Sequence, residues 1–224
     1  MSYTIAQVKG ETMLAAMSNY QWKTKPYEHQ TTALKNSCFS EYYALYMEMG
    51  TGKSKVIVDT MALLFEAGHI DTVLILAPKG VYDNWIRSEI PRHLPDRIPH
   101  NLVRWQNNLT KKFIGEMQGI LYPAKRKAET LHTLVMNIEA VSTKKGASTL
   151  LKYLKSNPKN LLVVDESTTI KNHKALRTKN IIKAAQFAKY RRILTGSPIT
   201  KSPMDLYSQC AFLSPKALGF KSFY

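Results

Sequence analysis

Cysteine is almost missing from this chain. The two that occur, Cys38 and Cys210, stand far apart with no Cys or His partner at metal-ligand spacing. This excludes a disulfide-stapled scaffold and a Cys/His zinc site, and reads as free thiols in a reducing compartment. Long apolar runs are missing too, since none approaches the roughly 20 residues of a membrane span. The start, Met1-Ser2-Tyr3-Thr4, lacks the basic and apolar stretches of a signal peptide. A cytoplasmic protein without a membrane partner is expected. Acidic residues are scarce, with 16 Asp and Glu against 32 Lys and Arg, a formal charge of +16. Between Glu166 and Asp205 there is no acid, while Lys171, Lys174, Arg177, Lys179, Lys183, Lys189, Arg191, Arg192 and Lys201 all fall there. Such a bias attracts polyanions, nucleic acid first and acidic membranes second. A lysine excess can also serve solubility alone, but clustering of one sign favours nucleic acid.

What is present is ordinary globular material. Hydrophobic residues make up 44% and charged residues 21% of 224, enough for a sizeable core without metals or disulfides. Short apolar runs alternate with longer helical patterns, the signature of an α/β fold with a predominantly parallel sheet flanked by helices. The expected strands are Tyr42 to Met47, Thr72 to Ala77, Leu102 to Trp105, Thr133 to Asn137, Leu161 to Val164 and Arg192 to Leu194. The clearest helix is Lys53 to Glu66, ended by Gly68; another runs from Tyr82 to Ile90 and should stop at Pro91. The stretch from Pro91 to Thr130 is the least readable, and the basic run Lys125-Arg126-Lys127 within it reads as a solvated face. No repeat or linker divides the chain, so residues 1–224 are expected to form one domain.

Three segments carry chemistry. Gly50-Thr51-Gly52-Lys53-Ser54 follows an expected strand and opens an expected helix. Glycines there let backbone amides face phosphate oxygens, at a helix N-terminus whose potential favours anions. Lys53 would reach the β- and γ-phosphates, the Ser54 hydroxyl would ligate magnesium, and Lys55 completes the segment. Met47 stands where the common phosphate-loop pattern begins with Gly. About 110 residues later, Leu161-Leu162-Val163-Val164-Asp165-Glu166 is an apolar strand ending in two carboxylates. Asp165 would hold magnesium through water and Glu166 would polarise an attacking water. Finally, Arg192-Ile193-Leu194-Thr195-Gly196-Ser197-Pro198 is a strand breaking into a turn, where Thr195, Gly196 and Ser197 could sense the γ-phosphate.

Together these segments resemble the first RecA-like lobe of a superfamily-two helicase, of the SWI/SNF-like branch of double-strand DNA translocases. Met47-Glu48-Met49-Gly50-Thr51-Gly52-Lys53-Ser54 is similar to that branch's D-E-M-G-L-G-K-T. Leu76-Ala77-Pro78 through Asn84-Trp85 resembles its second motif, and Val135-Met136-Asn137-Ile138-Glu139 resembles I-T-T-Y-E. Asp165-Glu166-Ser167-Thr168-Thr169-Ile170-Lys171-Asn172 resembles D-E-A-H-R-I-K-N, with Thr168 at the usual His position. Thr195-Gly196-Ser197-Pro198 matches T-G-T-P, and Asp205-Leu206-Tyr207 with Phe212-Leu213-Ser214-Pro215 resembles the helix after it.

The resemblance runs from about Lys25 to the end and implies a P-loop domain that binds ATP with magnesium. It places Gln30, in Pro26-Tyr27-Glu28-His29-Gln30, against the adenine. It implies sequence-tolerant contacts with double-stranded DNA near Lys79, near Asn137 to Glu139 and at Lys171, with Trp85 a core residue. It also implies a second RecA-like lobe, on the full-length chain or in trans, which supplies arginines and is absent from these 224 residues; the chain reads as an excised domain. A non-motor nucleic-acid-binding module that keeps the pocket is the alternative. A GTPase or kinase is disfavoured because no Asn-Lys-x-Asp guanine reader occurs.

Overall fold

A computed structural model describes residue 17, residues 19–108, 110–122 and 129–214, and residues 216 and 219. The Lys125-Arg126-Lys127 run and the tail from Pro215 lie outside the described residues, save Lys216 and Gly219. Six strands form one sheet: β1 (Tyr42–Tyr46), β2 (Thr72–Ala77), β3 (His100–Arg104), β4 (Leu131–Asn137), β5 (Asn160–Val164) and β6 (Tyr190–Thr195). Their order is β1-β6-β5-β2-β4-β3 and every pairing is parallel. The expected strands are all present, with ends shifted by at most two residues.

Parallel strands covered on both faces must be apolar at successive positions, which is why β2, β5 and β6 are buried throughout. Val73, Ile75, Leu161, Val163 and Leu194 face one core, with Leu34 of α1 (Glu28–Ser37) and Val56, Ile57, Met61 and Leu64 of α2 (Lys53–Glu66). Leu74, Leu76, Leu162, Val164 and Ile193 face the other. Its helices are α5 (Lys111–Leu121), α6 (Lys144–Ser156), α7 (Leu176–Ala185) and α8 (Asp205–Leu213), which contribute Met117, Leu154, Ile181 and Phe212. Gly68, at φ +70°, ends α2 as expected, with its N–H returning to the Phe65 carbonyl.

The helix expected to stop at Pro91 passes through it. α3 (Tyr82–Asn84) widens into a π-helical turn, Trp85–Glu89, and continues as α4 (Ile90–His93). In that turn Ile90 N–H reaches back to the Trp85 carbonyl, so the missing Pro91 donor and the bulk of its ring fall where the winding is already loosened.

A second correction concerns the basic cluster. Arg191 and Arg192 lie in β6 and are buried, Arg192 completely. The Arg192 guanidinium donates to the carbonyls of Ser37 (2.7 Å), Cys38 (3.0 Å), Ser40 (2.7 Å), Glu41 (3.1 Å) and Arg191 (2.8 Å). It thus satisfies the C-terminal end of α1, where orphan carbonyls and the helix dipole favour a cation. Burial pushes its pKa down to about 10, against the nearby Cys38, Tyr190 and Tyr43. The same burial pushes the Cys38 thiol up to about 12, an inert group.

Arg192→Met deletes this hub and removes the guanidinium from five carbonyls, of which Ser37 keeps Ser40 N–H and Glu41 keeps Arg191 N–H, so urea unfolding should show a loss of roughly 2 kcal/mol or more. A change below about 1 kcal/mol would mean that water replaces the guanidinium freely.

Candidate nucleotide-binding site

Every segment singled out for chemistry leaves the same edge of the sheet. β1, β6 and β5 are neighbours, so the loop after β1, the turn after β6 and the carboxylates after β5 meet at their C-terminal ends, the crevice in which open α/β sheets bind ligands. Gly50 (φ +75°) and Gly52 (φ +83°) take left-handed conformations that side chains rarely adopt. Gly52 is the N-cap of α2 and offers no side chain to the first-turn amides, which leaves them for a ligand.

Lys53 folds back over this loop. The residue is buried, and its ammonium donates to the carbonyls of Met47 and Glu48, both at 2.9 Å. Ser54 follows on the first turn of α2, half-buried. Lys55 does not share the loop through its side chain. Its ammonium donates to Asp59 Oδ2 and to the Thr24 carbonyl, both at 2.8 Å, and lies 5.4 Å from the Trp22 ring. Only the Lys55 main chain is left for the role expected of it. Burial lifts the Asp59 carboxyl to about 6 against the pull of Lys55.

Gln30 is placed beneath the loop rather than in the open. Its Oε1 accepts from Tyr27 N–H and its Nε2 donates to the Thr51 carbonyl, each at 3.0 Å. A Cβ on Gly52 would sit 2.2 Å from Gln30 Nε2, so a side chain there would displace the Gln30 amide from the loop, while the positive φ is what favours glycine. One Gln30 N–H remains for a base. A cavity of about 610 Å³ opens beside it, lined by Lys25, Pro26, Tyr27, Gly52, Arg92 and His93 among others.

The carboxylates sit opposite Lys53. Asp165 is buried, and its two oxygens are held by different donors: Trp85 Nε1 reaches Oδ2 at 2.8 Å, and Glu166 N–H reaches Oδ1 at 2.9 Å. Burial raises its pKa, opposed by Trp85, the Glu166 amide and the charge of Lys53. Burial also raises Glu166, reinforced by the Asp165 charge and opposed by Lys53. Glu166 itself has φ +48°, a strained conformation for a long side chain, and there the chain leaves β5 and enters the 3₁₀ turn Ser167–Ile170. Trp85 was expected in the core and is there, but its indole N–H also serves the site.

The third segment touches the loop directly. Met47 N–H donates to the Thr195 carbonyl at 3.3 Å, and Thr195 Oγ1 accepts from Ser197 N–H at 3.1 Å. A Cβ on Gly196 would lie 3.3 Å from the Met49 amide nitrogen and from its Cγ, so a side chain there would be tight against the loop after β1, and glycine eases this close approach. Lys79 is exposed just after β2, and Asn137 ends the adjacent β4, its Oδ1 capping Glu139 N–H at 2.8 Å. Lys171 is half-buried, its ammonium against Thr200 Oγ1. Among the described residues, no three His, Cys, Asp or Glu side chains form a cluster able to hold a metal alone.

The bond from Trp85 keeps Asp165 charged against its burial, so Trp85→Phe should raise the Asp165 pKa further. Because the charge is present above the folded-state pKa and lost as pH falls through it, the variant should lose it at a higher pH than the parent. Carboxyl carbon NMR titration reads this, and equal midpoints would show that the indole does not hold the carboxylate.

With this geometry in hand, comparison with known proteins is informative. A model of the SNF2-related domain matches residues 19–224. The ATP-dependent helicase fft2 of Schizosaccharomyces pombe is 28% identical over 169 residues, 75% of this chain and 12% of that protein. The chromatin-remodeling ATPase INO80 of Saccharomyces cerevisiae is 27% identical over 170 residues, 75% of this chain and 11% of that one. The chain therefore spans about a tenth of the length of these relatives. Among solved structures, the Sulfolobus solfataricus SWI2/SNF2 ATPase core in complex with dsDNA matches with a TM-score of 0.64 and 23% identity, covering 90% of this chain and 38% of that one. The UvsW helicase from bacteriophage T4 matches at 0.59 and 11%, covering 91% and 64%. These likenesses establish the RecA-like helicase fold, and the family match, taken with the loop, the paired carboxylates and the adjoining turn, makes this chain a member of the SNF2-related domain family.

Proposed function

We propose that the chain is the ATP-binding lobe of an ATP-dependent DNA helicase or double-strand DNA translocase, which hydrolyses ATP to ADP and phosphate when paired with a second RecA-like lobe, on the same chain or in trans. The observation that carries this reading is the buried Lys53 ammonium, held by loop carbonyls opposite two carboxylates whose charge burial opposes. ATP with magnesium fits this donor set, because a triphosphate needs the cation and the bared amides, while the carboxylates need a counter-charge.

In that arrangement Lys53 exchanges the Met47 and Glu48 carbonyls for phosphate oxygens, and the amides of Gly50 to Ser54 supply the remaining donors. Magnesium would be held by the Ser54 hydroxyl and, through water, by Asp165, and would supply charge neutralisation for the phosphates. Trp85 and the Glu166 amide hold Asp165 in place for this. Glu166, its carboxyl raised by burial and by the Asp165 charge, is the base that takes a proton from the attacking water.

The partners of most of the described arginines support the reading that a second lobe completes the site. Among the described residues, Arg97 pairs with Glu66 and Arg104 with Asp83, while Arg177, Arg191 and Arg192 are spent on carbonyls away from the loop, and Arg92 lines the cavity beside Gln30. An arginine aimed at the transferred phosphoryl is worth about 10³ to 10⁵ in rate, so this lobe alone should hydrolyse ATP slowly. DNA would lie along the rim formed by Lys79 and by Asn137 to Glu139, at the ends of β2 and β4, and reach Lys171. The net charge and the dsDNA complex of the archaeal homologue support contacts made chiefly with phosphates.

Lys53→Ala should weaken magnesium-ATP binding by about tenfold or more, read by calorimetry, without changing the unfolding midpoint; equal affinity would place the nucleotide elsewhere. In a two-lobe protein Glu166→Gln should spare ATP binding and cut DNA-stimulated turnover by about 10² or more. Retained turnover would remove Glu166 from the chemistry, and a two-lobe parent that binds ATP without hydrolysing it would favour a regulatory module. DNA affinity should fall steeply with salt, losing about one unit of logarithmic slope in Lys79→Ala. A slope near zero in the parent would contradict phosphate-dominated binding.

A further inference from the structure

Ser167 and Gln209, both fully buried, join the segment after the carboxylates to the turn after β6. Ser167 directly follows Glu166, and its hydroxyl donates to Gln209 Oε1 at 2.6 Å. From α8, Gln209 Nε2 donates to the Pro198 carbonyl at 2.8 Å and to the Asp205 carbonyl, one helical turn back, at 2.9 Å. Two carbonyl acceptors at one end fix the orientation of the amide, so its oxygen must face Ser167. A buried amide with partners at both ends transmits displacement, since any movement of Ser167 relative to Pro198 breaks a bond that no water replaces.

The same end of α8 holds the next residues of both segments. Ser208 Oγ donates to the Lys171 carbonyl at 3.3 Å. Asp205 Oδ2 accepts from the amides of Thr200 and Lys201, each at 2.9 Å, and from Thr200 Oγ1 at 2.8 Å, which holds its carboxyl well below the usual range. Thr168, at the position where the resembling motifs carry His, contributes its carbonyl to a turn within its own segment, accepting from Lys171 N–H at 3.3 Å.

The geometry points to Gln209 as the positioning residue that couples the Asp165–Glu166 carboxylates to the turn at Thr195 to Pro198, with Ser167 as its contact and residue 168 outside the route. The inference rests on the nucleotide site proposed above. A ligand that resets the strained Glu166 turn moves Ser167, and Gln209 passes the movement to Pro198, whose segment borders the phosphate loop at Gly196 and meets Lys171 at Thr200. One unbroken chain of hydrogen bonds, from Ser167 through Gln209 to the Pro198 carbonyl, joins two segments that both face the site.

Amide hydrogen exchange of the whole chain, with and without magnesium and a non-hydrolysable ATP analogue, reads this route. In the parent the analogue should slow exchange both at Gly50 to Ser54 and at Ser197 to Lys201. Ser167→Ala and Gln209→Leu should each keep the protection of the loop but lose about fivefold of the ligand-induced protection at Ser197 to Lys201, the worth of one buried hydrogen bond. The double variant should lose no more than either single one, because both act on one bridge. Thr168→Ala should behave as the parent. Undiminished protection at Ser197 to Lys201 in Ser167→Ala, or its loss in Thr168→Ala, would overturn the assignment. If Gln209→Leu fails to fold, Ser167→Ala, which removes one oxygen, decides alone. Protection absent at both segments of the parent would instead overturn the nucleotide site itself; protection confined to the loop would overturn the coupling only.

Discussion

The rest of the site depends on two carboxylates whose charges burial opposes, set opposite the cation of Lys53. The ammonium is buried against the carbonyl dipoles of Met47 and Glu48, and Asp165 and Glu166 both have their charges opposed by desolvation. A polyanion carrying a divalent cation would suit both, its phosphates meeting the ammonium and its metal the carboxylate. The positive φ angles of Gly50 and Gly52, the tryptophan bonded to Asp165 and the strained backbone of Glu166 all keep this arrangement in place.

The scaffold meets that constraint by anchoring parts that are remote in the chain. Strand order places β6 between β1 and β5, so the Thr195 turn lies between the loop and the carboxylates. Helix α1 acts as a strut. Its C-terminal carbonyls are gathered by the buried Arg192, while near its N-terminus Gln30 grips the Thr51 carbonyl and packs under Gly52. The fully buried cation in β6 therefore helps to hold the phosphate loop, although it lies at the far end of the helix that braces it.

Much of this was legible in the sequence, for identifiable reasons. Parallel strands buried on both faces write themselves as apolar runs, and a phosphate loop is local, so β2, α2 and Gly50 to Ser54 could be located directly. α5 was hidden although Phe113, Met117 and Ile120 keep helical spacing, because Gly115 and Gly119 lower its propensity. The passage through Pro91 depended on a π turn that no residue announces. Counting Arg191 and Arg192 as surface charge failed because charge alone does not reveal five convergent carbonyls. The polar duties of Trp85, Ser167 and Gln209 were unreadable for the same reason: their partners lie 80 and 42 residues away, and only the fold brings them within hydrogen-bond reach.

The binding of phosphate by Lys53 is open to direct observation in a crystal of the chain grown with magnesium and a non-hydrolysable ATP analogue. Phosphate oxygens within hydrogen-bond distance of Lys53 Nζ, with the Met47 and Glu48 carbonyls released and a metal between Ser54 and Asp165, are the expected result. A bound analogue that leaves the ammonium on its two carbonyls, with no metal at Asp165, would contradict it.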